Sequence, residues 1–472
     1  MPQPPDRKRR VIVILGSLLL PALALALGWG VRGVFGHERG AALAGGLAAL
    51  ALAVAPGSPL RPRAGWLLAA GAAGFAFGGL ETYGQTVWLT EGPSRAHTYW
   101  WGMLGLALKG GVWMGLGGLL VGMASGCRHY RRREVAGLCL GLLGAGIVGT
   151  LALNRPFSPP ARLPALYFSN FISPADPGWR ARPEYWGGLW LGFLFLWSYL
   201  AWRKRDPVAW RLGAWGLLGG AVGFPAAQAL NAWPGSRQLL PASWQGWIDW
   251  WKVVEMGFGF IAGLALGGGA YQCRRFLPGE GAEPPAASPL GAWVPGVASL
   301  AVVAAAAWEL LPEAALDWPF GPWLLAALLA FGALPLAWIC GLGLPVVLNL
   351  PDLLAGSWQQ QPWPAMGWRL LAGAILAAAA LGPAWRWGRR PPGRPGAALA
   401  LLASLAALMG AAKVLAQAGA LGAPGFLPER AANSAGTVST TFLLLALVIT
   451  IWTAVAGRGR EGFRPPGDEP LP

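Results

Sequence analysis

Thirteen blocks of mostly apolar residues recur along the chain, each near the roughly 20 residues that a helix needs to cross a bilayer. They run at 11–30, 40–56, 64–85, 98–123, 135–153, 185–202, 210–231, 247–271, 292–310, 321–348, 366–385, 396–418 and 436–456. Basic or Pro/Gly-rich breaks separate them. Of the 472 residues, 55% are hydrophobic and 12% charged, against about 25% charged in an ordinary soluble domain. So few charges cannot cover a water-exposed surface of this size, so lipid is the solvent for most of it. The expected fold is all-α: a polytopic transmembrane helix bundle of about 12–14 helices. The block at 321–348 is long enough to cross twice, or to re-enter as a hairpin near Pro335.

The net charge of +16 would point to nucleic acid in a soluble protein. Here the basic residues sit at the ends of apolar blocks, so the positive-inside rule explains them and no nucleic-acid partner is expected. Alternating the first eight spans from an inside N-terminus puts sixteen Lys and Arg on one side: Arg7 to Arg10 with Lys8, Arg61, Arg63, Arg128, Arg131 to Arg133, Arg203, Lys204, Arg205, Arg211, Arg274 and Arg275. Eight fall on the other: Arg32, Arg39, Arg95, Arg155, Arg162, Arg180, Arg182 and Arg237. That bias predicts a multi-pass protein of the cell inner membrane with both termini cytoplasmic. An even total of crossings places Arg458 and Arg460 inside, and Glu309, Glu313 and Asp317 outside. The first block could also be read as a signal peptide, with Ala22-Leu23-Ala24 mimicking a cleavage site, but it is long enough to span and the charge alternation works with it retained.

Offsetting the sequence by 146 positions aligns the third and fourth spans with the seventh and eighth. Trp101 meets Trp247, Gly111 meets Gly257, Gly117 meets Gly263, Gly122 meets Gly268 and Cys127-Arg128 meets Cys273-Arg274; over 101–128, eight of 28 positions agree. Over 38–128 as a whole the identity falls to what Gly, Ala and Leu-rich helices give by chance. The reading is a parallel duplication of a four-helix unit, 8–133 and 134–277, followed by a cytoplasmic linker at 278–291 and C-terminal transmembrane helices at 292–457. Parallel repeats of this kind hold a solute between them in transporters.

Lys109 lies well inside the fourth span, where an unpaired lysine costs on the order of 3 kcal/mol or more. The 146 offset puts Glu255 at the related position, so the two are expected to face each other between the repeats. The competing local arrangement pairs Glu255 with Lys252, one turn earlier. Asp249 reads as a helix-start residue. Between the first two spans, Gly28 to Gly40 contains five glycines and the ionisable Arg32, His37, Glu38 and Arg39. Read as a connector, it is a candidate outer vestibule in which the arginines bind an anion and His37 with Glu38 exchange protons. Glu81 with Gln85, and Gln228 with Asn231, are polar pairs at equivalent span ends that could hydrogen-bond a polar solute. Lys413 and Gln417 repeat the buried-lysine theme later in the chain, without an evident partner.

Other chemistries lack their residues. His37-Glu38 is followed by Ala41 where the zinc-protease motif has its second histidine, and His37, His97 and His129 lack ligand spacing. No metal or cofactor is expected. Cys127, Cys139, Cys273 and Cys340 lie in or beside spans and imply no disulfide framework. The small-xxx-small series at Gly111 and Gly115, at Gly118, Gly122 and Gly126, and at Gly259, Gly263 and Gly267 read as helix-packing seams. The 29 tryptophans cluster near span ends, as an interfacial belt does. The function expected is an integral membrane transporter or channel-like protein for a small polar or anionic solute. The alternative is a membrane-embedded transferase acting on a lipid-linked or acyl substrate at the outer face, with His37 or Glu38 as base, Arg32 as anion binder and the loop at 153–184 as cover.

Overall fold

A computed structural model describes residues 7–79, 83–91, 95–154, 185–233, 235–245, 248–277, 294–308, 334–355, 363–389, 395–417 and 429–458. Among these residues the fold is all-helical, with no strand. The helices are α1 (Arg7–Phe35), α2 (His37–Val54), α3 (Ala64–Gly79), α4 (Gly84–Glu91), α5 (Arg95–Ala124), α6 (Arg132–Gly149), α7 (Trp186–Ser198), α8 (Ala209–Ala232), the single turn α9 (Ala242–Gln245), α10 (Trp250–Cys273) and α11 (Val294–Trp308). They continue with α12 (Leu334–Leu353), α13 (Trp363–Arg389), α14 (Gly396–Gln417) and α15 (Glu429–Arg458). Wide helical turns extend α6 over Thr150–Asn154 and α7 over Tyr199–Arg203.

Eight of the described helices are long and apolar enough to cross a membrane: α1, α5, α6, α10, α12, α13, α14 and α15. That is the architecture of a helical membrane protein, in which each span satisfies its own backbone. Pro335 lies within α12; the rest of the block long enough to cross twice, residues 321–333, lies outside the described set. One sequence expectation changes: the stretch from Gly28 to Gly40 is not an open connector. α1 runs on to Phe35, and a single residue, Gly36 at φ +72°, turns the chain into α2. A side chain would be strained at that φ.

Six helices close a ring in the order α1, α2, α3, α5, α8, α10 and back to α1. Glycine makes it tight. On α10, Gly259, Gly263 and Gly267 face the carbonyls of Leu25, Pro21 and Ser17 on α1, one turn apart on each helix. A Cβ at Gly220 of α8 would strike the Gly110 carbonyl of α5. Such backbone approach is how helices associate where no hydrophobic effect drives them together. Outside the ring, α6 and α7 pair with each other and touch it through α7 and α5, while α14 packs on α1 and α2, and α12 on α3.

The ring takes all four long helices of the first proposed unit and two of the second, so the neighbour relations do not display a repeat. They do gather the basic residues. Arg63 lies against Gly126, the Arg128 side chain donates to the Arg205 carbonyl, and Arg274 borders a small pocket with Val13 and Pro56. The ends of α1, α2, α3, α5, α8 and α10 that carry these arginines form one face of the bundle, here the basic end.

Candidate functional site

At the end away from the basic face, α10 begins with Asp249, whose carboxylate accepts from the backbone N–H groups of Trp251 (3.0 Å) and Lys252 (3.4 Å). That cap fixes the first turn and aims the second inward. Glu255, 1% exposed, projects from it into the ring. Its Oε2 accepts from Lys252 Nζ at 2.5 Å, and its Oε1 from the Tyr83 hydroxyl at 2.5 Å and from Trp251 Nε1 at 2.8 Å. Across from it, Gly33 of α1 has no side chain, and a Cβ there would overlap the Glu255 carboxylate.

Arg32 is the neighbour of Gly33 and is itself buried. Its guanidinium lies 4.7 Å over the Tyr83 ring and 4.8 Å over Trp113. Tyr83 also stacks on Trp251 (5.7 Å, 15° between planes) and meets Phe224 edge-on (4.8 Å). Trp29, Trp113 and Phe258 close the aromatic floor through edge contacts of 4.7 Å. The result is a buried ionic group of Arg32, Lys252 and Glu255 walled by aromatic rings. Desolvation strengthens each of these attractions and raises the cost of removing any one partner.

Lys109 is 2% exposed, as its depth in the span requires, but it does not meet Glu255. Its ammonium stands 5.0 Å over the Trp186 ring at the start of α7, and the aromatic series Trp186, Trp113, Tyr83 lies between the two charges. The local arrangement with Lys252 is the one found for Glu255. The two charges differ in depth as well: Glu255 is on the second turn of α10, whereas Lys109 is at the middle of α5, level with the first residue of α7.

The other candidates divide. Gln228, fully buried, donates to Thr90 Oγ1 at 2.8 Å and to Glu91 Oε1 at 2.5 Å, and Asn231 donates to the same carboxylate oxygen. Both amides thus meet on Glu91, six residues beyond the pair expected; Glu81 and the side chain of Gln85 lie outside the described residues. Glu38 is buried and ion-paired with Arg39 at 3.4 Å, and Arg39 donates to the Leu348 carbonyl at 3.4 Å. The side chain of His37 lies outside the described residues. Lys413 gains a partner that the sequence did not indicate, Asp352 of the α12 region, and stands 4.8 Å over Phe35.

Tyr83, Trp251 and Glu91 were missed. Tyr83 and Glu91 sit beside a break between spans, where polar residues look like ordinary loop, and Trp251 was read as belt. Among the described residues no group of three or more His, Cys, Asp or Glu is placed to hold a metal.

The fold and this interior define a helical membrane protein built around an enclosed ionic and aromatic site. No family model matches the chain, and neither a curated protein nor a solved structure does.

Proposed function

We propose that the protein is a transporter or channel-like protein for a small polar or anionic solute, with the Arg32, Tyr83, Lys252 and Glu255 group as its solute-gating site. The carrying observation is the burial of that group inside a ring of six helices. Ionisable side chains are expensive within a membrane, and an ion pair used only for stability is often matched by well-packed apolar residues. Their presence is best accounted for by work on a charged or polar species.

Three further features support this reading. Arg32 offers a planar fork suited to carboxylate or phosphate oxygens. Lys252 and Lys109 add cationic charge to the same interior, which favours an anion. Arg32 and Tyr83 come from the first of the two proposed four-helix units, and Lys252 and Glu255 from the second, so both proposed units contribute to the group. In this reading the units are a parallel duplication, and the basic end faces the cytoplasm of an inner membrane, with both termini there.

The transferase alternative draws less from the geometry, because Glu38, one of its two candidate bases, is buried against Arg39.

Purified protein in proteoliposomes tests the proposal, using uptake of radiolabelled phosphate, short carboxylates and amino acids. Flux above empty vesicles that falls at least about tenfold in Glu255→Gln and in Lys109→Ala, each assayed below its own melting transition, is the outcome expected. No flux for any solute, or flux indifferent to Glu255→Gln, refutes it.

A further inference from the structure

We infer that a cavity between α3, α5, α6 and α7 is a binding site for one acyl chain of a membrane lipid. Its volume is about 290 Å³, at the lower edge of small-molecule pockets and enough for a single chain. Phe77, Leu116, Leu142, Ile147 and Leu189 line it, with Gly146 leaving the space open.

The occupant follows from where the cavity leads. Its α6 wall includes Ile147, which is 54% exposed, and it continues into the outward face of that helix at Leu140, Val148 and Leu151, all more than half exposed. That face is the protein's lipid-facing surface, so the cavity opens onto hydrocarbon. An apolar cavity of this kind does not hold water and accepts apolar ligands.

Polar atoms appear only toward one rim, at Thr150 and Tyr185. The Thr150 hydroxyl is already committed to the Gly146 carbonyl at 2.8 Å. A tyrosine at that rim is placed as interfacial aromatics are, at the level where a headgroup leaves the chain. The inner wall distinguishes this site from ordinary surrounding lipid. Phe77 and Leu116 belong to the ring helices and are 8% and 4% exposed, so a chain must enter the cavity to touch them.

The test uses full-length protein in vesicles of phosphatidylcholine carrying a diazirine midway along one acyl chain, with photolysis and peptide mapping. Label at Phe77 and Leu116 is expected, and Gly146→Leu should reduce it at least tenfold. A Cβ at Gly146 meets nothing within 4 Å, so this variant fills the cavity without a clash. Gly137→Leu, equally unobstructed and outside the cavity lining, should keep the label. Label confined to Leu140, Ile147 and Val148 in the wild type overturns the proposal, whatever the variants do. So does label at Phe77 that survives in a folded Gly146→Leu.

Discussion

α5 and α6 follow one another in the chain and both are long and apolar enough to cross a bilayer, yet 83% of the most apolar window of α5 is buried, against 22% for α6. The more apolar of the two is the more exposed. In water that order would be reversed. In lipid, apolar side chains gain little from leaving the solvent, and what draws a helix inward is a small residue that permits backbone contact or a polar group that must escape hydrocarbon. α5 carries Lys109 and the Gly110, Gly118 and Gly122 contacts with α8, whereas Gly137, Gly144 and Gly146 of α6 face open space.

The largest test of that contrast is Lys252→Met. It leaves Glu255 as a buried carboxylate without its ammonium, a loss of about 3–5 kcal/mol, read as a fall in melting temperature by tryptophan fluorescence in detergent. The double variant Lys252→Met/Glu255→Leu should recover part of it, since no carboxylate is stranded and the buried Arg32 keeps its contacts with the Tyr83 and Trp113 rings. Failure to recover would mean that Tyr83 and Trp251 depend on the carboxylate for their own placement.

Next in size is a matched pair of glycine changes. Gly220→Leu forces α8 from the Gly110 carbonyl of α5 and should cost on the order of 3 kcal/mol, as severe overpacking does. Gly144→Leu on α6 meets no atom within 4 Å and should be neutral or slightly stabilising through helix propensity. Equal effects at the two positions would dissolve the distinction between ring and rim.

The contrast also explains what the sequence could disclose. Helix placement was legible because hydropathy is local: the block at 396–418 is Gly396–Gln417, and 210–231 is Ala209–Ala232. The end of α1 was not. The charged Arg32 looked like the edge of a connector, and its membership of the helix depends on Tyr83 and Trp113, which are distant in sequence. The Lys252–Glu255 pair was legible as neighbours on one helix face, whereas pairing Lys109 with Glu255 required knowing which helices touch, information that a weak internal similarity does not carry. The same gap concealed Glu91 as the meeting point of Gln228 and Asn231.

A smaller effect is expected at the basic end, outside the spans. There the Tyr130 hydroxyl donates to Asp206 Oδ2 at 2.7 Å, while Asp206 Oδ1 accepts from the N–H groups of Val208 and Ala209 at 3.0 Å each and starts α8. Burial, with the Asp206 carboxylate second, holds the Tyr130 phenol well above its ordinary value near 10. The unfolded chain therefore loses this proton first as pH rises, so the contribution is complete below about pH 10 and declines above it. Melting temperature should drop between pH 9 and pH 11, and less so in Tyr130→Phe. That variant should itself cost about 1–2 kcal/mol at neutral pH, since Asp206 keeps its backbone donors. An unchanged alkaline slope in Tyr130→Phe would assign the sensitivity to other groups.

The smallest effect should come from Leu140→Ala. Leu140 is 70% exposed on α6, so truncation exchanges contact with lipid for contact with lipid, and stability should move by no more than about 0.5 kcal/mol. A leucine lost from a water-soluble core costs several times that, because its surroundings must close a void; around α6 the bilayer closes it. A loss above about 2 kcal/mol would therefore show that this face is covered by protein in the native membrane, either by another copy of the chain or by a different partner. The lipid-facing identity of α6, and with it the opening of the acyl-chain cavity into hydrocarbon, would then fail together.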